Sequence, residues 1–116
     1  MKLDHLKGIL ESNAREYYEN GVAAESRRQF NTAVTLYFKA LSCLCDLFIL
    51  AREEITPSSH SQRFRILQLR YPRLYKMLDK DFPFYQDSYR ARLDRETAEM
   101  LRDDVTELCH RLGIDL

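Results

Sequence analysis

Apolar residues recur along the chain at the three- and four-residue spacing of helices, and no stretch alternates with the two-residue period of a strand. The spacing predicts a first helix over about residues 2–28, in which Asn20 and Gly21 form a local irregularity rather than a break. A second helix is predicted to follow Asn31 as its N-cap and to run through the most apolar stretch, residues 33–51. Apolar side chains cover several faces of this helix, so we expect it at the centre of the fold.

The third helical region contains two prolines that set its predicted limits. Thr56 followed by Pro57 resembles a cap and a first helical position, where the missing N–H of proline does no harm. The residue before Pro72 is pushed out of helical geometry, so this helix should end near Arg70 and a further two turns should restart at Pro72.

The C-terminal part of the pattern predicts a loop and a closing helix. Pro83, between two aromatic residues, is assigned to a loop that ends where Tyr85 or Asp87 opens another helix. The closing helix is expected to follow a cap at Asp94 and to end at Gly113. The whole pattern therefore predicts an all-α, up-and-down bundle of four to five helices that forms a single domain over residues 1–116.

Charge changes this picture locally but not globally. The 18 basic and 18 acidic side chains cancel, which argues against a protein that binds nucleic acid over its whole surface. Residues 55–78 nevertheless contain five cations and no Asp or Glu, leaving 13 basic and 18 acidic side chains elsewhere. The five cations are Arg63, Arg65, Arg70, Arg73 and Lys76.

This basic segment has two interpretations. In the first, Arg63, Arg70, Arg73 and Lys76 contact phosphates while Tyr71 stacks on a base, as in proteins that bind single-stranded nucleic acid. In the second, the segment is a solvated helix face whose cations pair with acids on neighbouring helices. The spacing of the residues leaves both interpretations open.

Other chemistry is sparse in the sequence. Three cysteines, an odd number without metal-finger spacing, indicate reduced structural thiols in a cytoplasmic protein. No phosphate-binding loop, zinc pattern or catalytic triad appears, so we expect no metal and no cofactor. The run over residues 33–51 contains Lys39 and Asp46, which favours a core helix over a membrane span.

Two stretches resemble a known family of helical domains. The sequence "ESRRQFNTAVTLYFKALSCLCDLFIL" is similar to the start of the second helix in HEPN domains, and "YRARLDRETAEMLRDDVTEL" is similar to their closing part. The positions that carry the first similarity are Phe30, Asn31, Ala33, Val34, Tyr37, Phe38 and Ala40. The resemblance implies a helical bundle that forms a homodimer, binds RNA between protomers and works beside a minimal nucleotidyltransferase.

Many members of that family are metal-independent ribonucleases that carry Arg, four to six residues and then His near the closing helix. No histidine stands at that spacing after Arg90, Arg92 or Arg95. His60 and His110 each follow an arginine by eight positions, one too many. The resemblance therefore predicts a catalytically silent, dimeric binding or regulatory module rather than an enzyme.

Two alternatives remain at this stage. One is a ribonuclease toxin with a divergent active site, in which His60 and Arg90 would have to converge in one cleft. The other is a helical protein-interaction adaptor, because "AVTLYFKAL" also resembles one helix of a tetratricopeptide unit, although the 34-residue repeat does not recur. An exposed apolar groove would favour the adaptor.

Overall fold

Five helices account for most of residues 2–116, the part of the chain that the computed structural model describes. Within that range there is no strand, which confirms the all-α prediction. The helices are α1 (Lys2–Ser26), α2 (Phe30–Glu53), α3 (His60–Arg70), α4 (Pro72–Asp87) and α5 (Arg95–Leu112).

The first two helices form an antiparallel hairpin, in which Gly21 of α1 packs against the ring of Tyr37 in α2. Helix α1 continues without a break through Asn20 and Gly21. A Cβ atom at Gly21 would lie only 2.7 Å from Cε1 of Tyr37, so the position has no room for a side chain. Gly21 therefore lies within a regular helix, and its lack of a side chain lets the ring of Tyr37 approach the backbone of α1.

Helix α2 is the centre of the core, as its apolar run predicts. Its buried apolar residues include Val34, Tyr37, Phe38, Leu41, Leu44 and Ile49. By length and composition alone this helix could cross a membrane, but 67% of its most apolar window is buried inside the bundle. Such burial is expected of a core helix surrounded by other helices.

Two predicted helix starts are wrong, and in both cases a side chain bonds differently from the expectation. Helix α2 begins at Phe30 rather than after Asn31, and its cap residue Gln29 makes no side-chain hydrogen bond. Helix α3 begins at His60 rather than at the proline three residues earlier. Its cap is Ser59, whose hydroxyl accepts from the backbone N–H of Gln62 at 3.1 Å.

Helix α4 confirms one proline prediction and contradicts the other. The chain breaks before Pro72, as expected, and a new helix begins there. Pro83, predicted in a loop, lies inside α4, which continues to Asp87. The adjacent Phe82 packs against Phe38 and Phe64 at ring distances of 5.6 and 5.1 Å, and this burial offsets the hydrogen bond that Pro83 cannot make.

The direction of α3 departs from simple up-and-down alternation. Arg63 pairs with Asp46, and Arg70, seven residues further on, pairs with Glu53, seven residues further along α2. Helix α3 therefore runs in the same direction as α2, and residues 54–59 return along the bundle to permit this. Alternation resumes afterwards, since α4 runs back against α3.

Asn31 fastens the turn between α4 and α5 to the start of α2. Its amide nitrogen donates to the carbonyl oxygens of Ser88 and Ala91 at 2.9 and 2.6 Å. Its Oδ1 atom accepts from the backbone N–H of Leu93 at 3.0 Å. One side chain thus satisfies three backbone groups of a turn that has no regular structure of its own.

Helix α5 begins and ends at the predicted residues. The carboxylate of Asp94 accepts from the backbone N–H of Thr97 at 3.0 Å, which caps the first turn. Gly113 ends the helix in the left-handed conformation, with φ of 69°. Both signals are local, which is why the sequence predicted them correctly.

Candidate functional site

Arg63, the first cation of the basic segment, points into the bundle. Its Nε and Nη2 atoms donate to Oδ1 and Oδ2 of Asp46 at 2.7 and 2.8 Å, and each side chain is only 11% exposed. Burial alone would lower the pKa of Arg63, but the hydrogen bonds to Asp46 raise it above its ordinary value. The charge of Arg63 therefore neutralises a buried carboxylate between α2 and α3.

Arg70 and Tyr71 share one acceptor at the end of α3. The guanidinium of Arg70 donates to Oε1 of Glu53, and the hydroxyl of Tyr71 donates to Oε2 of the same residue at 2.5 Å. The hydrogen bond to Glu53 raises the pKa of Tyr71. Because the side chain of Arg70 is 62% exposed, its ion pair is of the weak surface kind and can exchange for another anion.

Three arginines from different helices surround one apolar cavity of about 330 Å³, which we call the arginine groove. Arg70 ends α3, Arg73 lies in the first turn of α4, and Arg111 lies in the last turn of α5. The apolar residues that line the groove are Phe48, Pro72, Leu74, Leu108 and Leu112, and Tyr71 lies beside them. The structure thus brings together Arg70, Tyr71 and Arg73, three of the predicted ligand residues.

The arginine groove continues into a second cavity of about 550 Å³ that shares Phe48, Arg111 and Leu112 with it. This cavity also includes Arg52 and Lys7, along with the acids Asp4 and Glu11. The guanidinium carbon of Arg52 lies 4.8 Å from the ring centre of Phe48, within cation–π distance.

Lys76, the last cation of the basic segment, lies outside the arginine groove. It is exposed on α4, three residues after Arg73 and on the same side of the helix. The contributions of Phe48 and Arg111 to the groove were missed in the sequence. No local signal marks them, because the ends of α2 and α5 meet only through the fold.

His60 and Arg63 belong to a different cavity, of about 380 Å³, which we call the His60 pocket. Helix α2 contributes Phe38, Lys39, Ser42 and Cys43 to it, and α1 and α4 contribute Tyr17 and Tyr85. Residues 57–59, which precede α3, complete the lining. The basic segment is therefore divided between two sites.

The imidazole of His60 has a defined proton arrangement. Its Nδ1 atom lies 3.0 Å from Nη1 of Arg63, and because a guanidinium can only donate, Nδ1 is the acceptor and Nε2 carries the proton. Burial, with the nearby positive charges of Arg63 and Lys39, lowers the pKa of His60. His60 is therefore a neutral donor at neutral pH.

Arg90, the proposed catalytic partner of His60, lies elsewhere. It is exposed on the turn after α4, with its backbone N–H bonded to the carbonyl of Asp87. No hydrogen bond or ring contact within residues 2–116 joins Arg90 to His60, and Arg90 does not line the His60 pocket. The ribonuclease alternative requires the two side chains to converge in one cleft, and in that cavity they do not.

The remaining reactive groups offer little chemistry. Burial raises the pKa of the Cys43 thiol to about 11, so this thiol is protonated at neutral pH and is a poor nucleophile. Within residues 2–116, no group of three His, Cys, Asp or Glu side chains could hold a metal ion.

Comparison with protein-family models, with curated proteins and with solved structures finds no match for this chain.

Proposed function

We propose that the protein is a non-catalytic module that binds single-stranded RNA at the arginine groove. The observation that carries the proposal is the convergence of Arg70, Arg73 and Arg111 around an apolar floor next to Tyr71 and Phe48. Cations that follow the backbone, combined with aromatic rings that accept bases, are the usual components of single-strand binding.

The charges around the groove favour an anionic ligand. Arg73 takes part in no ion pair within the described residues 2–116, while Arg70 and Arg111 pair with Glu53 and Glu107 on the surface. Exposed pairs of this kind contribute about 0–1 kcal/mol, so a phosphate can replace the glutamate at small cost. The three guanidinium groups are therefore available to successive phosphates of one strand.

The non-catalytic part of the proposal is supported by the separate positions of His60 and Arg90. The homodimer and the nucleotidyltransferase-like partner remain predictions of the HEPN resemblance. Sedimentation of the purified protein would test the homodimer directly.

The test is fluorescence anisotropy of a labelled, mixed-sequence single-stranded RNA with the full chain at several salt concentrations. The variant combines Arg73→Ala with Arg111→Ala and retains Arg70, which also holds Glu53. The matched control combines Arg27→Ala with Arg92→Ala, which removes the same charge from exposed positions at the opposite end of α2. An RNA integrity gel from the same samples reports cleavage.

We expect salt-sensitive binding that the groove variant loses and the control variant retains. Each lost phosphate contact should reduce the slope of log affinity against log salt by about 0.7, so the variant should lose about 1.4. Equal loss in both variants would show a non-specific charge effect. Cleavage of the RNA by the wild type would overturn the non-catalytic assignment.

The adaptor alternative gains one specific observation, since the floor of the arginine groove is apolar and open. At about 330 Å³, however, the groove has room for a base or one large side chain rather than for the face of a partner helix. Absence of RNA binding at low salt would leave the adaptor as the better explanation.

A further inference from the structure

Glu53 places a carboxylate of the protein itself at the edge of the arginine groove. It is the last residue of α2, and it is not among the residues that line the cavity. Its Oε1 atom accepts from the guanidinium of Arg70, and its Oε2 atom accepts from the hydroxyl of Tyr71 at 2.5 Å. Both donors line the groove, so an internal anion already occupies two of the groups that would hold a ligand.

The pair formed by Glu53 and Arg70 differs from the surroundings of the other two arginines. Arg111 pairs with Glu107 one turn away on α5, and both side chains are well exposed. Arg73 is free of ion pairs in the part of the chain that the structure describes, residues 2–116. The side chain of Glu53 is only 22% exposed, and a sheltered charge is screened by salt less than an exposed one. Among the three arginines, the charge of Arg70 is therefore the one that a sheltered carboxylate neutralises.

A carboxylate and a phosphate offer these donors the same kind of acceptor. A guanidinium matches the geometry of either group, and a phenol hydroxyl donates to either. The hydrogen bond to Glu53 raises the pKa of Tyr71, so the hydroxyl keeps its proton at neutral pH and remains a donor. A phosphate that enters the groove therefore meets the Glu53 carboxylate in the position that Arg70 and Tyr71 define.

The end of α2 adds to this competition. The last carbonyl groups of a helix carry a partial negative charge, and Glu53 lies in the last turn of α2. When Arg70 binds a phosphate instead, the carboxylate remains nearby and repels the ligand. Exchange of one anion for another at Arg70 therefore gains little, and a ligand has to reach Arg73 and Arg111 as well.

From this arrangement we infer that Glu53 is an internal competitor for a phosphate site formed by Arg70 and Tyr71, and that its carboxylate lowers the affinity of the arginine groove for RNA. The inference rests on the proposed function. It adds to that function a residue outside the cavity that sets how strongly the site binds.

The test compares Glu53→Gln with Glu54→Gln in the full chain, by anisotropy of the same labelled single-stranded RNA at several salt concentrations. Glu54 is the matched control, because it is exposed, directly follows Glu53 and takes part in no ion pair within residues 2–116. Both variants remove one negative charge. A difference between them therefore reports the local competition at Arg70 rather than a change in net charge.

We expect Glu53→Gln to bind the RNA about two- to fivefold more tightly than Glu54→Gln, the range in affinity that corresponds to a surface ion pair. The slope of log affinity against log salt should steepen by about 0.7, because Arg70 becomes free to neutralise one more phosphate. Equal affinities and equal slopes in the two variants would overturn the inference.

The same measurements separate this inference from the proposed function. If the wild type binds RNA and the combined Arg73→Ala and Arg111→Ala variant does not, while Glu53→Gln and Glu54→Gln behave alike, only the inference fails. If neither the wild type nor Glu53→Gln binds RNA at low salt, the proposed function fails and the inference fails with it.

A double-mutant cycle with Arg70→Ala shows whether the competition acts through that guanidinium. Without Arg70, the tighter binding caused by Glu53→Gln should disappear, because the carboxylate then has no cation to withhold from the phosphate. An equal gain with and without Arg70 would show a general effect of charge and would overturn the inference. Thermal unfolding without RNA should give Glu53→Gln and Glu54→Gln similar unfolding temperatures, since a glutamine amide oxygen can still accept from Tyr71.

Discussion

At the scale of single residues, the fold depends on a few contacts that leave no freedom of side-chain choice. Gly21 lies under the ring of Tyr37, whose hydroxyl donates to Glu25 at 2.7 Å. Glu25 in turn accepts from Arg102 at 2.7 Å, so the ring is held by a network that joins α1, α2 and α5. The ring cannot move away without breaking these hydrogen bonds.

Gly21→Ala should therefore destabilise the protein by about 1–3 kcal/mol, the usual cost of overpacking a core. Gly8→Ala is the matched control, because Gly8 lies in the same helix with nothing within 4 Å of an added Cβ. There the higher helix propensity of alanine should stabilise by about 0.5–1 kcal/mol. Urea denaturation of both variants measures the difference, and changes of the same sign would show that Tyr37 does not restrict Gly21.

The Asp46–Arg63 pair is the second residue-scale constraint. Arg63→Met should cost about 3–5 kcal/mol, because it leaves the carboxylate of Asp46 buried without compensation. Adding Asp46→Leu should recover most of this loss, since an apolar pair avoids the desolvation of both charges. A double-mutant cycle in urea measures both steps, and an Arg63→Met variant as stable as the wild type would contradict the pairing.

At the scale of elements, the turn between α4 and α5 depends on a residue outside it. Asn31→Ala should leave the carbonyls of Ser88 and Ala91 and the N–H of Leu93 without protein partners. The expected cost is about 1–3 kcal/mol, with faster hydrogen exchange at the Leu93 amide. Asn20→Ala is the control, because its single hydrogen bond is exposed on α1. Unchanged exchange at Leu93 would show that Asn31 does not hold the turn.

The elements also show what a sequence of this kind can predict. The break before Pro72, the cap at Asp94 and the end of α5 at Gly113 follow from residues within one turn of the event. Asn31 was predicted as a cap from its residue type alone. The prediction failed because its actual partners lie 57 to 62 residues away in the sequence. Local propensity likewise placed Pro83 in a loop, whereas the aromatic packing of its neighbour Phe82 keeps it in a helix.

The two candidate sites were only partly predictable for the same reason. The absence of acids over residues 55–78 correctly marked an unusual segment, but nothing in it shows that Arg63 faces Asp46. Arg111 joins the arginine groove only because α5 ends beside the junction of α3 and α4. Such contacts depend on the directions of the helices, and the parallel course of α2 and α3 was not expected.

At the scale of the whole molecule, the balanced charge hides a second buried acid, which, unlike Asp46, has no arginine partner. Asp81 is fully buried, and neither of its carboxyl oxygens has a hydrogen bond within residues 2–116. Lys80 Nζ lies 3.1 Å from Oδ1 without forming a hydrogen bond to it. Burial, reinforced by the neighbouring carboxylate of Asp104, raises the pKa of Asp81 from 3.8 to about 8.

A raised pKa in the folded state means that the folded protein holds a proton that the unfolded chain releases. Between pH 3.8 and about 8, the contribution of Asp81 to the free energy of unfolding should therefore fall as the pH rises. Asp81→Asn keeps a neutral donor next to Asp104 at every pH. The variant should match the wild type near pH 4 and be more stable than it above pH 8, by on the order of a few kcal/mol.

Urea denaturation of the wild type and Asp81→Asn from pH 4 to pH 9 measures this difference, with the pH range chosen to cover about one unit beyond the raised pKa. Subtracting the two curves cancels the titration of groups that both proteins share, including His60, whose lowered pKa acts in the opposite direction. Asp79→Asn, an exposed carboxylate of the same helix, is the control for net charge. If the stability of the wild type and of Asp81→Asn depends on pH in the same way, Asp81 is ionised in the folded protein. If Asp79→Asn has the same effect as Asp81→Asn, the pH dependence arises from net charge rather than from burial.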